Sequence, residues 1–215
     1  MSGTNRLTIG IDFDLVCPWC FIGKRQLALA RARFSQQYPG VVVVPEWHGV
    51  QLLPDVPDDG LPFARFYEQR LGSPEAVRHR QQQVASAARG AGLELDLANI
   101  ARMPNTARAH RLLRHVARLG PPALYETVLE RLFAAYFQRG EDLGDPATLR
   151  RIAAAFGVHG DPATGGLADL PSPAHDIAGV PLFSIGRGAA LSGARDAGTL
   201  FDAMRRALSP PAPSP

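Results

Sequence analysis

Residues 7–13, Leu-Thr-Ile-Gly-Ile-Asp-Phe, alternate apolar with small or polar positions, the two-residue period of a strand. A helical period takes over from about Pro18 to Phe34 and is stopped by Tyr38-Pro39-Gly40. Val41-Val42-Val43-Val44 is a β-branched run, too short and too stiff at χ1 for a helix, and reads as a buried strand. Pro45 ends its ladder or places it near a sheet edge. Strand, helix and strand in this order favour a parallel pair joined by a right-handed crossover.

From Leu61 to about Gly157 the pattern is helical, with clear punctuation. Ser73-Pro74-Glu75 supplies an N-cap and a proline at the first helical position, and the helix continues to about Arg89. Asn105 caps a helix over 106–119 that turns Leu112, Leu113 and Val116 to one face. Pro121-Pro122 opens another, whose stripe of Leu124, Val128, Leu129, Leu132, Phe133, Tyr136 and Phe137 is wide enough for burial on two sides, with a hydrophobic groove as the alternative. Asp145-Pro146 opens a fourth, with Leu149, Ile152, Ala153 and Phe156 at helical spacing and Gly157 at its end. Strand character returns in Pro181–Ile185, and a Gly186-Arg187-Gly188 turn leads into Ala189–Ser192, an antiparallel hairpin. A last helix spans about 195–208, with Leu200, Phe201, Met204 and Leu208 inward. Strands at both ends with helices between them describe an α/β domain split by a helical insertion. The expected division is 1–60 with 174–209 for the split domain, 61–173 for the insertion, and 210–215 for a proline-rich tail without core-forming residues.

Composition narrows the function. A chain of 215 residues can bury roughly 70% of its unfolded surface without staples. It is 46% hydrophobic, and no apolar run approaches the ~18 residues of a membrane span. The formal net charge is +3, with arginines scattered among acids rather than gathered in a basic block, so no nucleic-acid or membrane partner is expected. The first residues pass straight into strand pattern without the apolar stretch of a secretory signal, so a cytoplasmic location is expected.

The two cysteines carry the most chemistry. Cys17-Pro18-Trp19-Cys20 stands where the first strand passes into the first helix. Two sulfurs on one helical turn can form a disulfide, and unpaired N–H groups at a helix start favour a thiolate on the first. Pro18 suits that turn because its missing donor costs nothing there. Cys17 would attack a substrate sulfur and Cys20, one turn deeper, would resolve the mixed disulfide. No metal is expected, since structural zinc wants four ligands and His110 and His115, five apart on a helix, diverge. Asp12 and Asp14 are expected on one face of a central, covered strand, where one of them would accept or relay the Cys20 proton. The competing reading of Asp14 is that it bonds loop N–H groups ahead of the helix.

The run Asp14-Leu15-Val16-Cys17-Pro18-Trp19-Cys20-Phe21-Ile22-Gly23-Lys24-Arg25 resembles the active-site signature of the FrnE-like branch of the DsbA family, the thioredoxin-fold thiol–disulfide oxidoreductases. The resemblance continues through Leu53-Pro54-Asp55, Asn105–Arg111, Leu132–Phe137, Gly144-Asp145-Pro146, Gly179–Phe183 and Leu191–Ala194, nearly the whole chain. It implies a thioredoxin fold interrupted by a helical domain, with Val180-Pro181 as a cis-proline turn that faces the cysteines and pairs with substrate. Asn105 and His110 match the same motif; one is most simply a cap and the other a packed or hydrogen-bonded histidine. The chain departs from the family over 158–178, short and rich in glycine and proline, which is expected to be less ordered than its flanks.

The implied activity is exchange with disulfides of proteins or small thiols, without a cofactor beyond the Cys17–Cys20 pair. Dithiols of this fold span roughly −120 to −270 mV, so composition does not give the direction of exchange. Two alternatives stand beside it. One is a glutathione-dependent isomerase or transferase of the 2-hydroxychromene-2-carboxylate isomerase type, which uses glutathione's thiol and typically a serine in place of the cysteine pair. The other is a non-catalytic accessory protein of a biosynthetic pathway.

Overall fold

The computed structural model describes residues 5–159, 179–186, 188 and 190–208. In chain order they form β1 (Asn5–Phe13), α1 (Pro18–Gln37), β2 (Val41–Gly49), β3 (Leu61–Pro62), α2 (Phe63–Leu71) and α3 (Pro74–Gly90). A single 3-10 turn at Leu97–Asn99 follows, then β4 (Arg102–Met103), α4 (Ala107–Leu119), α5 (Pro122–Arg139) and α6 (Pro146–Ala155). The chain closes with β5 (Leu182–Ile185), β6 (Leu191–Ser192) and α7 (Ala197–Ala207). Four strands make one sheet in the order β2–β1–β5–β6, and β3 pairs with β4 apart from it. β1 runs parallel to β2 and antiparallel to β5.

Alternation along β1 does the sorting. Leu7, Ile9 and Ile11 point to α1 and α7, where they meet Leu27, Ala30, Phe34, Leu200 and Met204. Phe13, at the strand's end, belongs instead to the core of the helical segment. There it sits 6.1 Å from Phe133 of α5, which stacks on Phe21 of α1 at 5.2 Å. The first turns of α1 are therefore clamped between sheet and insertion. The wide stripe of α5 is buried on two sides as its pattern predicts, with Val128, Leu129, Leu132, Phe133, Tyr136 and Phe137 all at most 1% exposed. Ser73 and Asp145 cap their helices, accepting from the N–H of Ala76 at 3.2 Å and of Ala147 at 3.0 Å.

Val41–Val44 is a strand but not a buried one: β2 lies at the edge of the sheet and Val42 is 46% exposed. A β-branched run fits any pleated surface, and its sequence does not record whether a neighbour lies on both sides. Pro45 stays inside β2, opposite Ile9, because an edge strand needs no outward donor. Val158 is buried, and its N–H bonds the Ala153 carbonyl at 3.0 Å. Beyond His159, the expectation of looser packing over 158–178 lies outside the described residues, as does the 210–215 tail. No helix among the described residues is long and apolar enough to cross a membrane.

Candidate active site

Cys17 is the residue at which the extended chain becomes helix. Its own φ and ψ are −93° and 109°, Pro18 occupies the first helical position, and the Cys20 N–H bonds the Cys17 carbonyl at 3.0 Å. No acidic residue stands in the first turn of α1 and no side chain caps it, so its free N–H groups are directed at the sulfur side. Both cysteines are free thiols. Cys17 is 7% exposed and Cys20 1%, which makes Cys17 the outer sulfur.

The far wall is brought from the other end of the chain. The Val180–Pro181 peptide bond is cis, and the Cys17 thiol donates to the Val180 carbonyl at 3.6 Å. Gly23 allows this approach: a Cβ there would stand 3.1 Å from both Pro181 Cγ and Phe183 Cζ, so even a methyl group would require these side chains to give by a few tenths of an ångström. Cys17, Cys20, Pro18, Trp19, Val180 and Pro181 thus gather at one end of the sheet.

The two aspartates do not share a face, contrary to the strand pattern. β1 ends at Phe13, so Asp14 has left the period-two register and turned inward, where it is fully buried. Asp12 stays on the strand opposite His48 of β2, half-buried. Burial raises its carboxyl above the usual range, and the His48 charge opposes this. Asp14 accepts from the N–H of Leu15 at 2.7 Å and of Leu52 at 2.8 Å, which is the loop-bonding role. It also lies 2.9 Å from His110 Nε2 on α4.

Of the two aspartates, Asp14 is the one among the groups that shift the Cys20 thiol. Burial pushes the Cys20 thiol well above its ordinary value, and its hydrogen bond and charge interaction with Cys17 push it further. A backbone contact from Asp14 opposes this rise, while the Asp14 charge adds to it. The inner sulfur is therefore held protonated at neutral pH.

A second polar group locks the loop after β2. Asn105 Oδ1 accepts from Gln51 at 2.6 Å and from the Ala107 N–H at 3.0 Å, the expected cap, while its Nδ2 donates to the Val56 carbonyl at 2.6 Å. His110, expected to be packed or hydrogen-bonded, is both. Its link to Asp14, 96 residues away, had no signal in the chain beyond a histidine on an apolar helix face. Among the described residues no group of three or more His, Cys, Asp or Glu is arranged to hold a metal ion.

Comparison with known proteins identifies the family and the fold. The DSBA-like thioredoxin domain matches residues 8–175. The uncharacterized protein YwbO of Bacillus subtilis is 26% identical over 152 residues, 71% of this chain and 67% of its own. A probable DsbA oxidoreductase from Streptomyces coelicolor superposes with a TM-score of 0.77 at 23% identity, covering 97% of this chain and 93% of its own. The cytosolic disulfide reductase DsbM from Pseudomonas aeruginosa, solved with GSH, gives 0.60 at 18% identity, over 93% and 94% of the two chains. A 2-hydroxychromene-2-carboxylate isomerase gives 0.61 at 15% identity, over 93% and 95%. The fold is a DsbA-like thioredoxin fold carrying a helical insertion, and the chain belongs to the DSBA-like thioredoxin domain family.

Proposed function

We propose that this protein is a thiol–disulfide oxidoreductase of the FrnE-like branch, exchanging disulfides of protein or small-thiol substrates in a reducing cytosol. The observation that carries the reading is the paired environment of the two sulfurs. One stands at a helix N-terminus against the Val180 carbonyl, the other is buried beneath it and held as a thiol. Cys17 attacks a substrate disulfide and Cys20 resolves the mixed disulfide. Val180 offers backbone groups to an extended substrate, which gives affinity without reading side chains. Pro18 and Trp19 flank the attacking sulfur, and Asp14 orients the loop beneath it.

The test is reduction of insulin by dithiothreitol. Acceleration by the wild-type protein is expected, with none from Cys17→Ser, while Cys20→Ser accumulates mixed disulfides detectable by mass spectrometry. The shared fold with the 2-hydroxychromene-2-carboxylate isomerase supports a second reading, glutathione-dependent isomerisation. Retention of both cysteines argues against it, and an insulin assay without acceleration would reverse that preference.

A further inference from the structure

A cleft of about 320 Å³ opens beside the dithiol, between α2 and α3. Pro18 and Trp19, the residues between the cysteines, form the wall nearest Cys17, and Phe63, Val84 and Phe137 line it with apolar surface. The charged groups of the lining are both cationic and stand beside the neutral Tyr67 and Gln81. Tyr67 and Arg70 lie three apart on α2, and Arg80 reaches in from α3, one turn before Val84. Burial raises the Tyr67 phenol, the Cys17 charge raises it further, and Arg70 and Arg80 pull it back down, so all four groups interact in one small volume.

Arg70 and Arg80 are exposed where they line the cleft, and neither has an ion-pair partner among the described residues, whereas Arg78 of the same helix pair is joined to Glu75 at 2.6 Å. Residues 61–90 hold five arginines and two glutamates, a surplus of three that equals the formal net charge of the whole chain. A half-enclosed site with apolar walls and two unpartnered guanidinium groups suits a carboxylate attached to an apolar segment.

We propose that this cleft is a carboxylate subsite, and that the preferred substrates are disulfides bearing a carboxylate within a few bonds of the reacting sulfur. The proposal rests on the dithiol reading above. The carboxylate comes either from a small acidic thiol or from an acidic side chain beside a peptide cysteine. In the reaction, the Cys17 thiolate attacks one sulfur of RS–SR, forming the Cys17–S–S–R bond and releasing one RS⁻. Cys20 then loses its proton to solvent and attacks Cys17 Sγ, closing the Cys17–Cys20 bond and releasing the second RS⁻. The dithiol is oxidised by two electrons, the substrate disulfide is reduced by two, and both released thiolates take up protons from water.

The experiment is single-turnover oxidation of the reduced protein by three small disulfides: anionic 3,3′-dithiodipropionate, neutral 2-hydroxyethyl disulfide and cationic cystamine. Each rate is divided by that disulfide's rate with dithiothreitol. A second arm compares disulfide-linked peptides with Glu or Gln two residues from the cysteine. At low salt the anionic-to-neutral ratio is expected to be about tenfold and the cationic-to-neutral ratio below one, both shrinking as salt is added. Arg70→Ala/Arg80→Ala should collapse the anionic-to-neutral ratio to about one, Arg70→Lys/Arg80→Lys should retain most of it, and Arg78→Ala should leave it in place. A preference among the small disulfides alone assigns the subsite to acidic small thiols, and one in the peptide arm alone to acidic peptides. Equal normalised rates in both arms, or a preference that survives Arg70→Ala/Arg80→Ala, overturn the subsite. Failure of even the neutral disulfide to oxidise the protein through Cys17 overturns the dithiol reading instead, so the two failures are distinct.

Discussion

Gly49→Ala is a sharp probe of how the site is held. Gly49 ends β2, and its φ lies outside the left-handed region, so alanine suits the backbone. The obstacle is steric. A Cβ at Gly49 would lie 2.9 Å from His110 Cε1 and closer still to Nδ1. His110 cannot simply recede, because Nε2 is committed to Asp14 at 2.9 Å and its ring packs 5.4 Å from that of Phe13. Either the ring shifts and Asp14 loses one of its three donors, about 1.5–3 kcal/mol for a charge-assisted bond, or the strand end is pushed away, at about 1–3 kcal/mol for overpacking. The molecule takes the cheaper route, so Gly49→Ala should cost about 2 kcal/mol. That corresponds to a fall in Tm of roughly 4–8 °C for a chain of this length. His110→Ala strands a buried carboxylate and should cost about 3 kcal/mol, at the low end for a broken buried pair because two N–H donors remain. In that background the alanine methyl enters the space the imidazole leaves, and Gly49→Ala should cost less than about 0.5 kcal/mol. Urea unfolding of the reduced protein and its three variants measures the cycle, with an expected coupling of about 1.5 kcal/mol. Additive costs, or a Gly49→Ala variant within about 0.5 kcal/mol of wild type, would refute the reasoning.

In Cys17→Ser, iodoacetamide should leave Cys20 unmodified in the native protein at pH 8 and label it promptly in urea, because burial is the largest cause of its raised pKa; rapid native labelling would contradict that assignment. At Glu141 burial alone would raise the carboxyl, but bonds from Arg151 and Arg131, each 2.8 Å, outweigh it and hold the pKa below its ordinary value of 4.5. A folded pKa below the unfolded one gives stability that is present above about pH 4.5 and lost as pH falls through the folded value. Glu141→Gln should therefore cost roughly 1 kcal/mol at pH 7 and nothing near pH 2, as measured by urea midpoints at the two pH values. Asp145→Ala should cost about 1 kcal/mol at pH 7 through loss of the α6 cap, again read from urea midpoints.

The features legible in the chain were those whose cause lies within a few residues. The caps at Ser73 and Asp145, the two-sided stripe of α5 and the dithiol at a strand-to-helix junction are all local chemistry. The rest depends on who the neighbours are. Val41–Val44 satisfies the requirements of an edge strand and a central strand equally, and only the sheet order decides. Asp12 and Asp14 are separated by the end of β1 at Phe13, one residue earlier than a shared face requires. The two-residue strands β3 and β4 are too short to leave a period. Asp14 with His110, and Gln51 with Asn105, are pairs 96 and 54 residues apart, and neither partner advertises the other. The cationic cleft arises because α2 and α3 turn facing sides together, which scattered arginines do not reveal.

The central place of β1 has a consequence for synthesis. It is paired along β2 on one side and, from Ile9 to Asp12, along β5 on the other. Roughly 130 residues separate the end of β2 from the start of β5, so a ribosome delivers β1, α1 and β2 long before their remaining partners. During that interval one flank of β1 offers unpaired N–H and C=O groups to any neighbouring chain. The inner face of α1, with Leu27, Ala30 and Phe34, waits for Leu200, Phe201 and Met204. Both thiols already exist at that stage, without the Val180 carbonyl and with much of the helical wall unmade. A chain cut short inside the helical segment is accordingly a sticky, oxidisable fragment rather than a smaller redox domain.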